Sequence, residues 1–484
     1  MLFLYLTLCI TAKILDGLEG YARSFSRRIG HVFDATTIRF TSMTGTSATD
    51  IGGNTTAKEC GLRKKKSDIG PEEIDAFKDT RMLIVDEISF AEYNGDLAKL
   101  SNRMKQLTEC HDHIFGSIPI CFLGDFYQLE PVCKDTIYNN ETSLFWEQAL
   151  THMIELQGQH RFAECPEMQE LVNLMREPTS AITHRKIINI LNRRLLTRED
   201  VIPPNWRFAS FATYHNRNRC QINTEGFRKY LSCYHSPDRL REIPMTAIVI
   251  KAFPSWSTTG KPLSFRHRQR LFEDCCDADF SSSGKTSTKR MDPFLTLYRG
   301  CSVMVTENLD VRCGIANGTV ATFESVRLKD GCSATPIQLY GYWVYAIDIQ
   351  NVDCIELRWH NSKRFQGTFR LQPRERKFRV RYPVVEAGRK SKISVSLSIV
   401  HFPVLLNLAT TGHKLQGKSV DSLIIAEWSK VQNWAYVAVS RVKTLAGLFL
   451  SCPVPHNLTF GPNPKCVSML SRLRNTILVV PEDA

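Results

Sequence analysis

The sequence predicts an α/β protein built on parallel sheets, with a β-rich insertion in its second half. Three observations carry this. Residues 82–90, MLIVDEISF, are an apolar strand run ending in two adjacent acids, and residues 118–132, IPICFLGDFYQLEPV, are a second run that delivers Asp125 and Gln128. Short apolar runs alternate with amphipathic stretches across 30–160 and again after 401, the pattern of β-α-β units. From 297 to 400 the pattern turns mostly to strands separated by turn residues, which suits a small barrel of the SH3 type.

Each element follows in order. TIRFTSMTG (37–45) reads as a strand, and a helical stretch lies near 96–110. MQELVNLMRE and HRKIINILNRRLL, within 163–200, have helical apolar spacing. FASFATYHNRNRCQIN (208–223) is a strand followed by a helix start. Residues 254–295 are polar and weakly periodic, and read as an exposed loop. PVLLNLAT, SLIIAEW, a helix bearing YVAVSR, and GLFLS complete the chain's α/β pattern.

With 484 residues the chain can bury ample core in about two to four domains. Lys and Arg number 62 against 49 Asp and Glu, a net charge of +13, which favours a polyanionic partner such as nucleic acid. The densest basic run, RKKK (63–66), reads as a solvated loop. The 16 cysteines show no disulfide spacing and no CxxC pair, so reduced thiols in a nuclear, cytosolic or organellar protein fit best. Cys110, His111 and His113 have no distant partner pair that would make them a metal site. Residues 1–10 are apolar but too short to span a bilayer and have no preceding positive charge, and no other segment is long and apolar enough to cross one.

A strand that carries Asp86 and Glu87 to its C-terminal end puts two acids at the rim of a parallel sheet, where α/β folds hold phosphate chemistry. One acid can hold Mg²⁺ and the other can activate a water. A phosphate cradle, GxxxxGK[ST], is missing. The chain's GK[ST] triplet, Gly284-Lys285-Thr286, lacks the first glycine, follows no strand, and lies on the wrong side of the acids.

Five segments stand in one order: TSMTGTSATDIGGNTT (41–56) before VDEIS, then GDFYQLEPV, NGT (317–319), ATTGHKLQGKSVD (409–421) and YVAVSRVKTLAGL (436–448). This order resembles the superfamily-one helicases of the Pif/RecD type, including the helicase domains of Helitron transposons, over roughly 40–160 and 295–450. The resemblance implies two RecA-like P-loop NTPase lobes with the SH3-like insertion in the second. It places a first RecA-like domain at 30–160 and the second at 161–253 and 396–455, interrupted by a polar loop (254–296) and the β-rich insertion (297–395). Residues 1–29 are expected to be an atypical N-terminal segment, of which 1–10 lie outside the family fold through a misplaced start of the gene model, and 456–484 to be a C-terminal tail.

The resemblance also implies roles. Asp86 is the Mg²⁺-associated acid, Glu87 the base that activates water, and Gln128 the γ-phosphate sensor. Arg161 and Arg441 are the phosphate-contacting arginines, and Asp125 and Gly417 join the nucleotide site. Thr44, Gly45 and the Ala48 turn, with Thr411, His413, Lys414 and Gln416, form the strand track. Small residues let backbone approach phosphates, and hydroxyl and basic groups bind them without reading sequence. The cofactors implied are ATP and Mg²⁺, and the partners single-stranded and duplex DNA, for a monomer free of membrane in the nucleus or mitochondrion. Two departures stand out. The family's GxxGxGKS should precede Thr44, and that span holds Ala12-Lys13 and Gly17 instead; Ala57 stands where the family commonly has histidine.

Overall fold

The computed structural model describes residues 2–5, 11–30, 32–34, 36–64, 69–131, 135–138, 149–155, 160–177, 180–197, 210–234, 245–253, 255–258, 264–269, 294–311, 313–359, 367–386, 389–476 and 478–479. Gly284-Lys285-Thr286 and the last two lysines of RKKK lie outside them. The chain divides into two compact units, one of residues 1–202, 308–317 and 412–484, the other of residues 203–307 and 318–411.

The first unit is built on β1 (Leu2–Tyr5), β2 (Ile38–Ser42), β3 (Asn54–Thr55), β4 (Met82–Asp86), β5 (Ile120–Gly124) and β6 (His152–Glu155). With the strand Leu478–Val479 at one edge, the sheet runs 478–479, β6, β1, β5, β4, β2, β3, and every described neighbour pair is parallel. β4 and β5 read as continuous apolar runs because both their faces are covered. Leu83, Val85 and Phe122 pack with Leu100, Met104 and Leu107 of the helix Ala98–Leu107 and with Cys466, Met469 and Leu470 of the helix Pro464–Thr476. Ile84, Cys121 and Leu123 face the other way, toward Leu18 and Ala22 of α1 (Thr11–Arg28). The period of two along each strand sorts these residues to opposite faces.

Both termini depart from expectation. Residues 2–5, expected outside the fold, form β1, an inner strand between β5 and β6, and α1 (Thr11–Arg28) follows to cover one face. Residues 6–10, where a strand–loop–helix cradle would turn, lie outside the described residues, and Lys13 falls in the first turn of α1. The described residues of 456–479 are not a tail either. The helix 464–476 buries Cys466, Met469, Leu470 and Leu473 in the unit's core, and Leu478–Val479 pairs with β6.

The boundary expected at residue 160 is also displaced. The helices Pro166–Arg176 and Ala181–Asn192, the parallel pair Leu423–Ile425 and Leu448–Leu450, and the buried helix Trp434–Val439 all belong to the first unit. Side-chain bonds explain this. Tyr436 and Asn433 bond to the 125–128 loop, and Asn192 Oδ1 accepts Val454 N–H.

The second unit is mostly β, as expected for 297–395, with strands from Phe294 to His401 that pair antiparallel apart from Tyr342–Asp348, which also pairs in parallel with Ala247–Lys251. Thr368–Leu371, Val352–Trp359, Val320–Leu328, Ser302–Val305 and Val404–Leu406 form one sheet in that order. A long hairpin, Arg374–Glu386 and Arg389–His401, takes Ser255–Thr258 as a third strand, so this part of the expected polar loop is ordered into a sheet. Ser210–Thr213 pairs in parallel with Ala409–Thr411. Asn223, on the helix Asn216–Tyr234, holds that pair by bonds to Leu406, Leu408 and Ala409 backbone. No described helix is long and apolar enough to cross a membrane.

Candidate active site and nucleic-acid interface

Parallel register sets the site. Ser42 of β2 stands beside Asp86 of β4, and Tyr5 of β1 beside Gly124 of β5, so the C-terminal ends of these strands share one edge. Asp86 is buried at the end of β4, and its carboxylate accepts a bond from the Ser47 hydroxyl. Glu87 then turns the chain with φ 55 and ψ 41, a left-handed conformation that costs a residue with a Cβ on the order of 1–2 kcal/mol. Gly124 gives this turn room. A Cβ there would lie 2.9 Å from Ile88 Cγ2 and 3.1 Å from Ile88 N, which explains the glycine in GDFYQ.

Burial raises the pKa of Asp86, partly offset by the Ser47 bond. Burial also raises that of Glu87, and the Asp86 charge pushes it further; the Arg441 charge and the nearby Gln416 amide pull the other way. Among the described residues Glu87 Oε2 has no hydrogen-bond partner. A carboxyl held above its ordinary range beside a free cleft is suited to taking a proton from water. The same shift makes a stability prediction. Glu87 binds its proton more tightly folded than unfolded, so its contribution is full below its ordinary pKa and is lost as pH rises through the folded value. Glu87→Gln is therefore expected to match the native chain near pH 4 and to be more stable near pH 8, by on the order of 1–3 kcal/mol. Denaturant unfolding at the two pH values reads this; destabilisation at pH 8 contradicts it.

The 125–128 loop is fixed from two sides. Asp125 Oδ1 accepts Tyr127 N–H at 3.0 Å and Oδ2 accepts the Tyr436 hydroxyl at 3.3 Å, while Arg176 lies 3.9 Å away. Both oxygens are engaged, so Asp125 braces the site and does not face it with a free ligand atom. Gln128 is buried, its backbone carbonyl accepts Asn433 Nδ2 at 2.8 Å, and its Oε1 has no partner among the described residues. Such an acceptor requires water or a ligand.

Arg441 is fully buried, donating to Val437 O at 2.8 Å and to Ser440 Oγ at 2.7 Å. Arg161 reaches the same turn, donating to Ser440 O at 2.9 Å. Burial and then the Arg161 charge lower the Arg441 pKa to about 9, and Glu87 and Asp125 oppose that shift. The unit thus brings together Asp86, Glu87, Gln128, Arg161 and Arg441.

Of the residues expected to form a strand track, Thr44, Gly45, His413, Lys414 and Gln416 line a cavity of about 620 Å³ together with Glu87. Thr44 caps the helix α2 (Gly45–Asp50), accepting Ser47 N–H, and Thr44 and Gly45 line the cavity. His413 and Lys414, on the short helix Gly412–Leu415, line it with Gln416 and Gly417. Gly417 has φ +77, and a Cβ there would lie 3.9 Å from Glu87 Oε1. Burial, then the Lys414 charge, lowers the His413 pKa, so its ring is neutral at pH 7. Thr411 ends its strand in the second unit and is not among the cavity's lining residues. Ala48 is a correction: it is fully buried against Val311 and Ala316, so it cannot touch a strand. The sequence alone assigns no role to Ser47, Phe90, Arg176, Tyr436, Asn308 or Asn317. Of these, Ser47 is readable as the hydroxyl inside TGTSATD; the others depend on contacts distant in sequence.

Several known proteins are similar to this chain. Residues 41–177 match the model of the PIF1-like helicase family. The ATP-dependent DNA helicase RRM3 of Saccharomyces cerevisiae is 28% identical over 208 residues, 40% of this chain and 28% of that protein. The ATP-dependent DNA helicase Pif1 of Bdellovibrio bacteriovorus is 24% identical over 475 residues, 93% of this chain and 86% of that protein. The fold is similar to that of the Bacteroides Pif1 helicase crystallised with ADP-AlF3 and single-stranded DNA, with a TM-score of 0.63 at 17% identity, covering 98% of this chain and 94% of that one. The acid pair, the glutamine and the arginines thus sit in a chain related to the Pif-type superfamily-one helicases, with a PIF1-like region at 41–177 and the α/β fold of the Pif1 structures.

Proposed function

We propose that this chain binds single-stranded DNA through Thr44, Gly45, His413, Lys414 and Gln416, as a Pif-type helicase module whose translocation, once ATP turnover is supplied, runs 5′ to 3′ toward duplex junctions. The supporting observation is that these residues and Glu87 line one cavity, so strand and hydrolytic acid share walls. Its relatives are named ATP-dependent DNA helicases, and a structural neighbour holds single-stranded DNA. The net charge of +13 suits a polyanion. A nuclear or mitochondrial site and a monomeric state accompany this reading.

ATP turnover by the chain as written is proposed to be slow or absent. A magnesium-bound triphosphate needs backbone N–H donors from a glycine-rich turn, a lysine, and a hydroxyl for the metal. Lys13 stands in the first turn of α1, but Ala12 and Ile14 flank it and residues 6–11 contain no glycine. Asp86 alone supplies an acid for Mg²⁺, and its carboxylate already accepts from Ser47. The residues present therefore do not fit a bound nucleotide.

The strand track is tested by fluorescence anisotropy with labelled dT20. Lys414→Ala is expected to weaken binding about tenfold and to reduce the salt slope by about 0.7. An unchanged affinity and slope would remove Lys414 from the track.

A further inference from the structure

We infer that Asn317 is a direct strand-binding residue of the cavity, donating its side-chain N–H groups to a phosphate or base oxygen of single-stranded DNA. The inference rests on the proposed DNA-binding reading and adds a contact to it.

Residues 308–317 lie in sequence between two strands of the second unit, yet they cluster with the first. Asn317 is held there at three atoms. Its backbone carbonyl accepts the Thr46 hydroxyl at 2.9 Å, its N–H donates to Asn308 Oδ1 at 2.9 Å, and its Oδ1 accepts the Lys414 ammonium. Val311 and Ala316 pack on Ala48 beneath it. Gly45 has no space for a side chain, since a Cβ would lie 2.5 Å from Asn308 Oδ1 and 3.3 Å from Ala316 Cβ. Asn308 Oδ1 cannot swing aside without losing the Asn317 N–H.

The chemistry of the partner fixes which way the amide faces. An ammonium only donates, so the amide must turn its oxygen to Lys414. Its two N–H donors then point away from Lys414, in a side chain that lines the cavity with Thr44, His413 and Gln416. Lys414 and Asn317 together present a charge and a preoriented pair of donors, and a phosphodiester oxygen accepts from both. A base carbonyl accepts from the amide as well. This gives the NGT segment a role in binding, set by a loop remote in sequence from the rest of the track.

The test is a double-mutant cycle read by dT20 anisotropy at low salt. A positioning role would act through Lys414, so Asn317→Ala would have no effect once Lys414 is alanine. A direct contact predicts a further loss of about tenfold in the Lys414→Ala background. Asn317→Asp in the same background keeps the side chain's size and the carbonyl bond to Thr46 while removing the donors, and is also expected to lose at least tenfold. It serves as the reading if the alanine variant melts early. Either variant binding dT20 as Lys414→Ala alone does would overturn the inference. Failure of the unsubstituted chain to bind dT20 would instead overturn the DNA-binding reading beneath it.

Discussion

Exchanging Thr7, Ile10, Ala12 and Ile14 for Gly, Gly, Gly and Ser is expected to raise DNA-stimulated ATP hydrolysis at least 100-fold, on the order of the effect of restoring preorganised phosphate donors. The exchange writes GxxGxGKS across residues 7–14 and leaves Lys13 in place. The fold supports this register: β1 is an inner strand of the sheet, α1 starts at Thr11, and Lys13 lies in its first turn. Glycines would free backbone N–H groups for phosphate binding, and the new serine would add the hydroxyl that a metal-bound triphosphate needs. Everything else proposed for hydrolysis is already present in Glu87, Gln128, Arg161 and Arg441. Glu87→Gln in the exchanged chain should return turnover to baseline while leaving dT20 affinity within about twofold. An exchanged chain with unchanged turnover would show that the remaining groups are not arranged for hydrolysis.

Arg441→Ala is expected to destabilise the fold by about 3–5 kcal/mol. The side chain is among the largest that are fully buried, and it bonds to Val437 O, Ser440 Oγ and, at 3.4 Å, Lys418 O. Removing it leaves a cavity, frees buried acceptors, and withdraws the cation that favours ionised Glu87. Relief of repulsion with Arg161 offsets a little of this. Arg441→Lys restores a charge but not the planar fork, and should recover only part of the loss. Denaturant unfolding measures both variants; a cost below about 1 kcal/mol for the alanine would mean the guanidinium is not a structural tie.

The chemistry-bearing ends of the strands are legible in the sequence because they are local. MLIVDE and ICFLGD each carry a buried strand and its terminal groups in a few residues, and parallel register does the rest. β1 is not legible, for a related reason. A four-residue apolar run is too short to show a period, so LFLY reads equally well as a stray leader core. The helix 464–476 and the strand after it escape a sequence reading because closing a sheet edge depends on partners hundreds of residues away, here β6. Ala48 illustrates the opposite error. It lies in a strand-track motif, yet its small size serves close packing against Val311 and Ala316. Asn317 stands in a motif whose letters assign it no role, since nothing local announces that its loop clusters with Gly45 and Lys414.

The sequence keeps the residues proposed for the strand track and has no GxxGxGKS run before Thr44. The direct measurement is a paired assay on the 484-residue chain, dT20 binding by anisotropy and ATP hydrolysis with and without dT20. Saturable, salt-sensitive binding is expected, with turnover at or near background and unchanged by dT20. Robust dT20-stimulated turnover that is lost in Glu87→Gln would contradict this, because the chain would then hold ATP without a GxxGxGKS run.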